Sequence, residues 1–279
     1  MRPLRSKMKD RFAQRIKIGL LSAFVLLPLS VSAVTYDSQT ATTTHAAQIR
    51  VEGEFTKKFD RGLSLELSEE LRFDVYNSTV GPSFRKSYTS LTFAYKPIDY
   101  LKLDIGYTLK VLGPNASWSA TKKANPNKYF RHRVYLSATG MYKFQYAKLY
   151  LRERLLMEAR QDSINPLEKN RCDLELRSKL GAEFYIPGKP VKPYLWAELI
   201  NTLNAPLYQQ RNGAQFINNV RTQVGVKWRL TKMSSLDFYY RFTYGYDRDI
   251  NITKNKGYIQ LTEQTLFLHA VGIAYNLDW

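Results

Sequence analysis

Charged side chains recur at every second position along several stretches of this 279-residue chain. In one stretch Asp173, Glu175, Arg177 and Lys179 alternate with mainly apolar or small side chains. In an extended strand this spacing puts the charged groups on one face. A narrow passage lined with more basic than acidic groups favours anions over cations. The expected lining residues are Arg72, Lys102, Lys110, Arg131, Arg133, Lys148, Arg152, Arg154, Arg177, Lys179, Arg221, Lys227, Arg229 and Arg241, with Glu66, Glu70, Asp74, Asp104, Asp173, Glu175, Glu183 and Asp237.

Two histidines, His132 and His269, are the weak candidates for catalysis. Both fall on apolar faces near the outer ends of predicted strands. A lipid hydrolase would need such a histidine as the base beside a seryl hydroxyl on an adjacent strand. No serine is convincingly spaced beside either histidine, and a place at the membrane–water interface, which an amphipathic ring prefers, is the simpler explanation for both. With one Cys and three His in the whole chain, we expect no metal site and no cofactor.

The elements that must position these groups are strands. From residue 46 onward, apolar and polar residues alternate with period two, as in Leu101, Leu103 and Ile105 against Lys102 and Asp104. The patterned runs span roughly 10 to 14 residues, whereas soluble strands average about 5 or 6 and a tilted strand crosses a bilayer in about 9 to 11. An apolar face toward lipid and a charged face toward a wet lumen characterise a membrane barrel. We therefore predict an all-β fold, a transmembrane antiparallel up-and-down β-barrel.

The N-terminus predicts export. Seven Lys and Arg residues precede an apolar run of 14 residues, 18–31, which ends in Val31-Ser32-Ala33. This is the three-part layout of a secretory signal, and the run is too short for a membrane-spanning helix, which needs about 20 residues. We expect cleavage between Ala33 and Val34. The chain is thus divided into a signal peptide, 1–33, and one barrel domain, 34–279, in the outer membrane of a Gram-negative bacterium.

Short connections alternate with long ones, which is typical of short periplasmic turns and longer outer loops. Eleven strands can be read, starting at residues 46, 63, 86, 101, 129, 144, 171, 194, 216, 236 and 265. Bacterial barrels made of one chain normally have an even number. We therefore predict about twelve strands, with the additional one in residues 34–45. The alternative is that this segment threads the lumen.

The last strand resembles the insertion signal that the outer-membrane assembly machinery reads. It alternates and ends on Trp279, with Gly272, Tyr275 and Leu277 at the expected spacing, whereas Ala270 stands where a polar residue is preferred. An ordinary edge strand ending in Trp is the alternative.

Several stretches, in order along the chain, resemble one family of outer-membrane barrels, the domain of unknown function 2490 family. They are 67–73 (LSEELRF), 95–107 (YKPIDYLKLDIGY), 149–155 (LYLRERL), 176–187 (LRSKLGAEFYIP), 192–204 (KPYLWAELINTLN) and 236–242 (LDFYYRF). The resemblance implies an outer-membrane β-barrel and no established activity. The first strand departs from it, because it lacks an aromatic-rich start.

These observations favour porin-like passage or binding of small, preferentially anionic solutes through a basic lumen. The alternatives are a hydrolase of outer-leaflet lipids, and a structural barrel that acts as an anchor or as a subunit of an outer-membrane complex. The expected partners are outer-membrane lipid and, during insertion, the barrel-assembly machinery. Nucleic acid is not expected, because the densest basic run lies in the signal and the remaining basic residues alternate with apolar ones. Twelve strands leave open whether the lumen is open or filled by side chains.

Overall fold

The computed structural model describes residues 38–75, 83–113, 130–159, 172–205, 217–253 and 258–279. The predicted signal peptide, the cleavage site Ala33-Val34 and most of the long connections lie outside these ranges. The described residues form eleven strands that close into one barrel in sequence order. They are β1 (Ser38–Lys58), β2 (Leu63–Asp74), β3 (Ser83–Ile98), β4 (Leu101–Leu112), β5 (Phe130–Lys143), β6 (Ala147–Ala159), β7 (Cys172–Phe184), β8 (Val191–Thr202), β9 (Asn219–Arg229), β10 (Ser234–Thr253) and β11 (Tyr258–Asp278).

Burial follows the period-two pattern of the sequence. On β5, Val134 and Leu136 are 49% and 56% exposed, whereas Tyr135 and Ser137, which alternate with them, are buried. The barrel therefore has an apolar exterior and a polar interior, which is the predicted all-β architecture. No helix in the described ranges is long and apolar enough to cross a membrane.

Five short connections, at 59–62, 99–100, 144–146, 185–190 and 230–233, lie at one end of the barrel, which we call the turn end. The opposite end is the loop end. In the connection between β7 and β8, Gly188 has a φ of 71°, which a residue with a Cβ adopts only with strain. This explains the Pro-Gly turn signal of the sequence.

The described barrel has eleven strands where the sequence predicts twelve. Residues 38–45 neither form a strand of their own nor thread the lumen, because they extend β1 to 21 residues. The segment contains no Gly, Pro, Asn or Asp that would start a turn, and its threonines favour an extended backbone. An odd number of strands makes the closing pair parallel, and Ser38–Thr56 pair in register with Gln260–Asp278 of β11.

Interior tyrosines lie against glycines directly opposite them on a neighbouring strand. At Gly225, for example, a Cβ would lie 2.6 Å from Cζ of Tyr194. The sheet thus leaves room for each ring only because the opposite residue has no side chain. The pairs are Tyr135 with Gly106, Tyr150 with Gly181, Tyr194 with Gly225 and Tyr239 with Gly272.

The residues of the predicted insertion signal have distinct positions. Gly272 faces the interior beneath Tyr239, whereas Tyr275 lies on the exterior and is 44% exposed. The backbone of Trp279 at the turn end bonds to Thr56 and Lys58 of β1 at 2.7 and 2.8 Å. The C-terminus therefore helps to close the barrel, and recognition of Leu277 and its neighbours by the assembly machinery stays a prediction.

The parallel closure predicts a disulfide between β1 and β11. In a Cys172→Ser background, Ile49→Cys with Val271→Cys should oxidise readily in the folded barrel, because the two positions are register partners and neighbouring strands bring Cα atoms within disulfide range. The measurement is the altered gel mobility of the oxidised protein. Ile49→Cys with Tyr240→Cys, one strand further away, is the control. A twelfth strand between β1 and β11 would leave the first pair uncrosslinked.

Candidate functional site in the barrel interior

Contacts that skip a strand identify the interior face. Thr92 on β3 and Tyr135 on β5 are 2.5 Å apart between their hydroxyl oxygens, although β4 lies between the two strands. Tyr194 on β8 likewise donates to Asp237 on β10 at 2.9 Å. Only the concave side of a closed sheet brings such side chains together. The predicted lining residues occupy the same alternating positions, and the structure places them on this face.

One cluster lies around Glu158 on β6, toward the loop end. Lys110 Nζ is 3.1 Å and Arg131 Nη1 is 2.9 Å from Oε1 of Glu158. Arg133 bonds to the other carboxylate oxygen. With a side chain only 4% exposed, Glu158 therefore balances three cations from β4 and β5.

A second cluster lies around Glu70 on β2. Arg72 donates to Glu70 through Nε at 2.8 Å and Nη2 at 2.7 Å. Arg50 Nη1 approaches the same carboxylate at 3.3 Å. Arg241 Nη1, from β10 on another part of the wall, lies 3.7 Å away. Glu70 thus connects strands that are not neighbours in the sheet.

A third cluster lies around Glu198 on β8. Arg152 Nη2 and Arg221 Nη1 lie 3.2 and 3.5 Å from its two oxygens. Nearby, Glu175 accepts two hydrogen bonds from Arg177, at 2.6 and 3.0 Å. We refer to Glu70, Glu158 and Glu198 as the carboxylate hubs, because each one holds cations from several strands.

Many interior cations lie directly opposite each other on neighbouring strands. The facing pairs include Arg50 with Arg72, Arg72 with Lys86, Lys110 with Arg131, Arg152 with Lys179, and Arg154 with Arg177. Facing carboxylates also occur, at Glu52 with Glu70 and Glu158 with Asp173. Like charges directly opposite each other destabilise a sheet, so this interior requires counter-charges.

Arg154 has no carboxylate within 4 Å among the described residues. Its guanidinium lies 4.0 Å from the ring centroid of Tyr135, and its Nε has no hydrogen-bond partner in the described part of the chain. The neighbouring Lys179 contacts a ring instead of an acid, with Nζ 3.8 Å from the centroid of Trp196. The interior therefore holds cations that its own carboxylates do not neutralise.

Packed side chains fill the interior at mid-height, where Arg50, Trp196 and Glu198 are all buried. Below them, a cavity of about 570 Å³ extends from Trp196 and Arg241 to the connections of the turn end. Side chains of the described residues are thus packed together in the middle of the interior, and space remains toward the turn end. Arg229, one of the predicted lining residues, lies exposed at the rim of this cavity.

Sequence reasoning missed two of the three hubs. Glu158 was left out of the expected lining residues, although the alternation Arg152, Arg154, Leu156, Glu158 continues to that position. Glu198 was also missed. The interior face of β8 carries Tyr194, Trp196 and Ile200, so the strand lacks a clear alternation of apolar and polar residues. Arg50 and Glu52, whose alternation on β1 was readable, were also left out.

The two histidines contact tyrosines on the exterior. Nδ1 of His132 lies 2.6 Å from the hydroxyl of Tyr107, and Nδ1 of His269 lies 2.6 Å from that of Tyr240. Among the described residues, no seryl hydroxyl is hydrogen-bonded to either ring. The geometry therefore does not favour the nucleophile and base of a hydrolase, and a role in catalysis stays a prediction.

Two acids also lie on the apolar exterior. Glu153 accepts a hydrogen bond from Ser178 at 2.7 Å, and Glu69 accepts one from Thr89. A β-bulge does not redirect Glu69, because its pairing with Thr89 is regular and the irregularity of β2 comes later, between Arg72 and Phe73. A hydroxyl on the adjacent strand therefore partners each exterior carboxylate.

We predict that neutralising a carboxylate hub causes a large loss of stability. Glu158→Gln leaves Lys110, Arg131 and Arg133 without their shared carboxylate, and loss of one partner of a buried ion pair costs about 3–5 kcal/mol. Urea unfolding of the folded chain in detergent at low salt measures the effect. Added chloride should recover part of the loss, because an anion can replace the carboxylate.

The matched control is Glu66→Gln, because Glu66 is an interior acid with no cation within 4 Å in the described part of the chain. Its effect should be small. Equal stability of the two variants would contradict the hub assignment.

Comparison with known proteins gives a family and a structural likeness. The model of a family described as "Protein of unknown function (DUF2490)" matches residues 49–253. No curated protein matches. Among solved structures, the chain is similar to a porin, NanC, with 11% sequence identity, coverage of 69% of this chain and 86% of that chain, and a TM-score of 0.41.

The family match begins in β1 and ends in β10, and it covers more than half of the chain. It includes the three carboxylate hubs and all of the cations they bind. The chain therefore belongs to the DUF2490 family.

Proposed function

We propose that this chain is an exported outer-membrane barrel that binds small anions in its interior and lets them pass. The observation that carries the proposal is the set of cations facing each other in the interior, of which Arg154 opposite Arg177 is the clearest case. An anion between two such groups removes their repulsion. The confined, low-dielectric surroundings strengthen that attraction compared with bulk water.

The exterior supports a place in a membrane. Each of the eleven described strands carries exposed apolar side chains, for example Phe93 at 58% and Leu136 at 56%. Soluble monomers rarely expose an apolar patch larger than a few hundred Å², whereas here the apolar side chains continue around the whole barrel. Even the shortest strand, β9, has 11 residues, and about 9 to 11 residues cross a bilayer.

The predicted signal peptide and the C-terminal strand support the outer membrane. In this proposal the turn end faces the periplasm, lipid contacts the apolar exterior, and the assembly machinery reads Gly272, Tyr275, Leu277 and Trp279. The exterior aromatic rings then lie at the membrane–water interfaces, where Tyr and Trp are enriched. His132 and His269, each bonded to a tyrosine hydroxyl, fit such an interface.

The packed middle of the interior supports small solutes and a narrow path. Barrels with few strands are filled by side chains, whereas those of 16–18 strands leave an aqueous channel. Passage here requires the arginines around Glu70 and Glu198 to exchange their carboxylate for the moving anion. Long guanidinium side chains can do so without movement of the sheet.

Planar-bilayer recording of the purified, folded chain in a salt gradient tests the proposal. We expect small conductance steps and a reversal potential that shows chloride to be preferred over potassium. Arg154→Gln should lower this preference by about threefold or more, because it removes a desolvated interior cation. It leaves no carboxylate unpaired, so the fold should survive.

The matched control is Lys189→Gln, which removes one positive charge from the exposed turn between β7 and β8 and should leave the selectivity unchanged. Arg131→Glu and Arg152→Glu should reduce the anion preference further, because they reverse charge in the interior. A folded barrel that conducts nothing, or that prefers potassium, would overturn the proposal.

A further inference from the structure

The cavity at the turn end has walls of opposite charge. Strands β6 to β9 contribute Lys148, Lys179, Lys192, Lys227 and Arg229, with Glu183 as their only acid in the cavity lining. Strands β10, β11 and β1 contribute Asp237, Asp278, Glu52 and Glu54, with Arg241 as their only base in that lining, and Lys232 lines the cavity from the connection between β9 and β10. We call these the basic wall and the acidic wall.

Much of the charge on the basic wall is not neutralised by the protein. Lys148 pairs with Glu183 at 2.7 Å. In contrast, Lys192, Lys227 and Arg229 have no carboxylate within 4 Å among the described residues. Lys192 and Lys227 are also register partners on β8 and β9, so two positive charges face each other there.

The acidic wall contains carboxylates that lack cations. Asp237 accepts hydrogen bonds from the hydroxyl of Tyr194 at 3.0 and 2.9 Å, and no cation lies within 4 Å of it in the described ranges. Among the described residues, Glu54 has only a distant hydrogen bond, 3.5 Å, from Thr56. Asp278 pairs outside the cavity lining, with Lys58 at 2.7 Å.

Lys227 and Asp237, where the two walls meet, are register partners on β9 and β10 without an ion pair within 4 Å, whereas the other uncompensated groups lie on strands that are not neighbours. Glu54 is on β1 and Lys192 is on β8, with β9, β10 and β11 between them along the wall. Groups of opposite sign close enough to touch would form an ion pair, as Lys148 and Glu183 do. Glu54 and Lys192 do not pair in this way, and both line the cavity of about 570 Å³.

We infer that this cavity binds zwitterionic solutes, such as short peptides, with the carboxylate toward Lys192 and Lys227 and the ammonium group toward Glu54. Such a molecule satisfies both walls at once, whereas a simple anion satisfies one and meets repulsion from the other. Trp196, Tyr150 and Tyr194 supply an aromatic surface for the middle of the ligand. The inference goes beyond anion passage, because it concerns equilibrium binding and requires the acids as well as the bases.

Calorimetric titration of the full, folded chain in detergent tests the inference with three matched probes. These are triglycine, N-acetyl-triglycine, which has only the negative charge, and triglycine amide, which has only the positive charge. Triglycine should bind about tenfold tighter than either of the others, because it alone contacts both walls.

Variants of one wall should remove the part of this preference that depends on the ligand charge which that wall binds. Glu54→Gln should make triglycine bind no better than N-acetyl-triglycine. Lys192→Gln with Lys227→Gln should make it bind no better than triglycine amide. Glu54→Asp should keep the preference, and Lys189→Gln outside the cavity lining is the control.

Three results would overturn the inference: equal binding of triglycine and N-acetyl-triglycine, no effect of Glu54→Gln in a variant that folds normally, or no binding of any probe. The first would mean that the cavity takes anions. None of the three bears on chloride selectivity, so the two proposals can fail separately.

Discussion

Three interior carboxylates hold together the charged interior of this barrel, and the other interior features depend on them. A closed sheet of eleven strands forces every second side chain into a narrow cylinder. In this chain many of those side chains are basic and face each other across neighbouring strands. Glu70, Glu158 and Glu198 make the arrangement possible because each one binds cations from at least two strands.

The hubs also leave some interior cations without a carboxylate, and the proposed affinity for anions rests on these cations. Each carboxylate binds two or three cations, and Arg154 and Lys179 are left against the aromatic rings of Tyr135 and Trp196. An aromatic ring stabilises a cation far less than a carboxylate does. Toward the turn end the balance changes, because Asp237 and Glu54 face a group of lysines. The two proposals follow from this difference: anions are assigned to the middle, and solutes that carry both charges are assigned to the cavity below it.

The local pattern was enough to predict the strands and their faces, but it could not predict which distant strands pair. The period-two alternation placed the starts of β2 and β4 at Leu63 and Leu101, where the structure has them. The predicted number of strands was wrong because the general preference for even numbers was given more weight than a local observation, namely that residues 38–45 contain no turn-forming residue. The outcome depends on pairing of β1 with β11, some 220 residues apart in the chain, which no local pattern reports.

The candidate site shows the same difference between what a local pattern predicts and what depends on long-range pairing. Alternation alone predicted on which face of its own strand each of Arg131, Arg152 and Arg177 lies, because that property depends on one strand at a time. It could not predict that Arg241 meets Glu70, since this contact depends on closure of the barrel and on register. Glu158 and Glu198 were not predicted, for local reasons. Glu158 lies near the end of a strand, and Glu198 lies among aromatic neighbours.

The most direct test of anion binding is an anomalous difference map from crystals of the folded chain grown in bromide. The account predicts bromide in the interior, beside Arg154, Arg177 and Lys179, where cations exceed carboxylates. It predicts fewer or weaker sites at equally basic positions in the exposed turns, such as Lys189. An interior without bromide, with every interior guanidinium bonded to protein carboxylates, would contradict it.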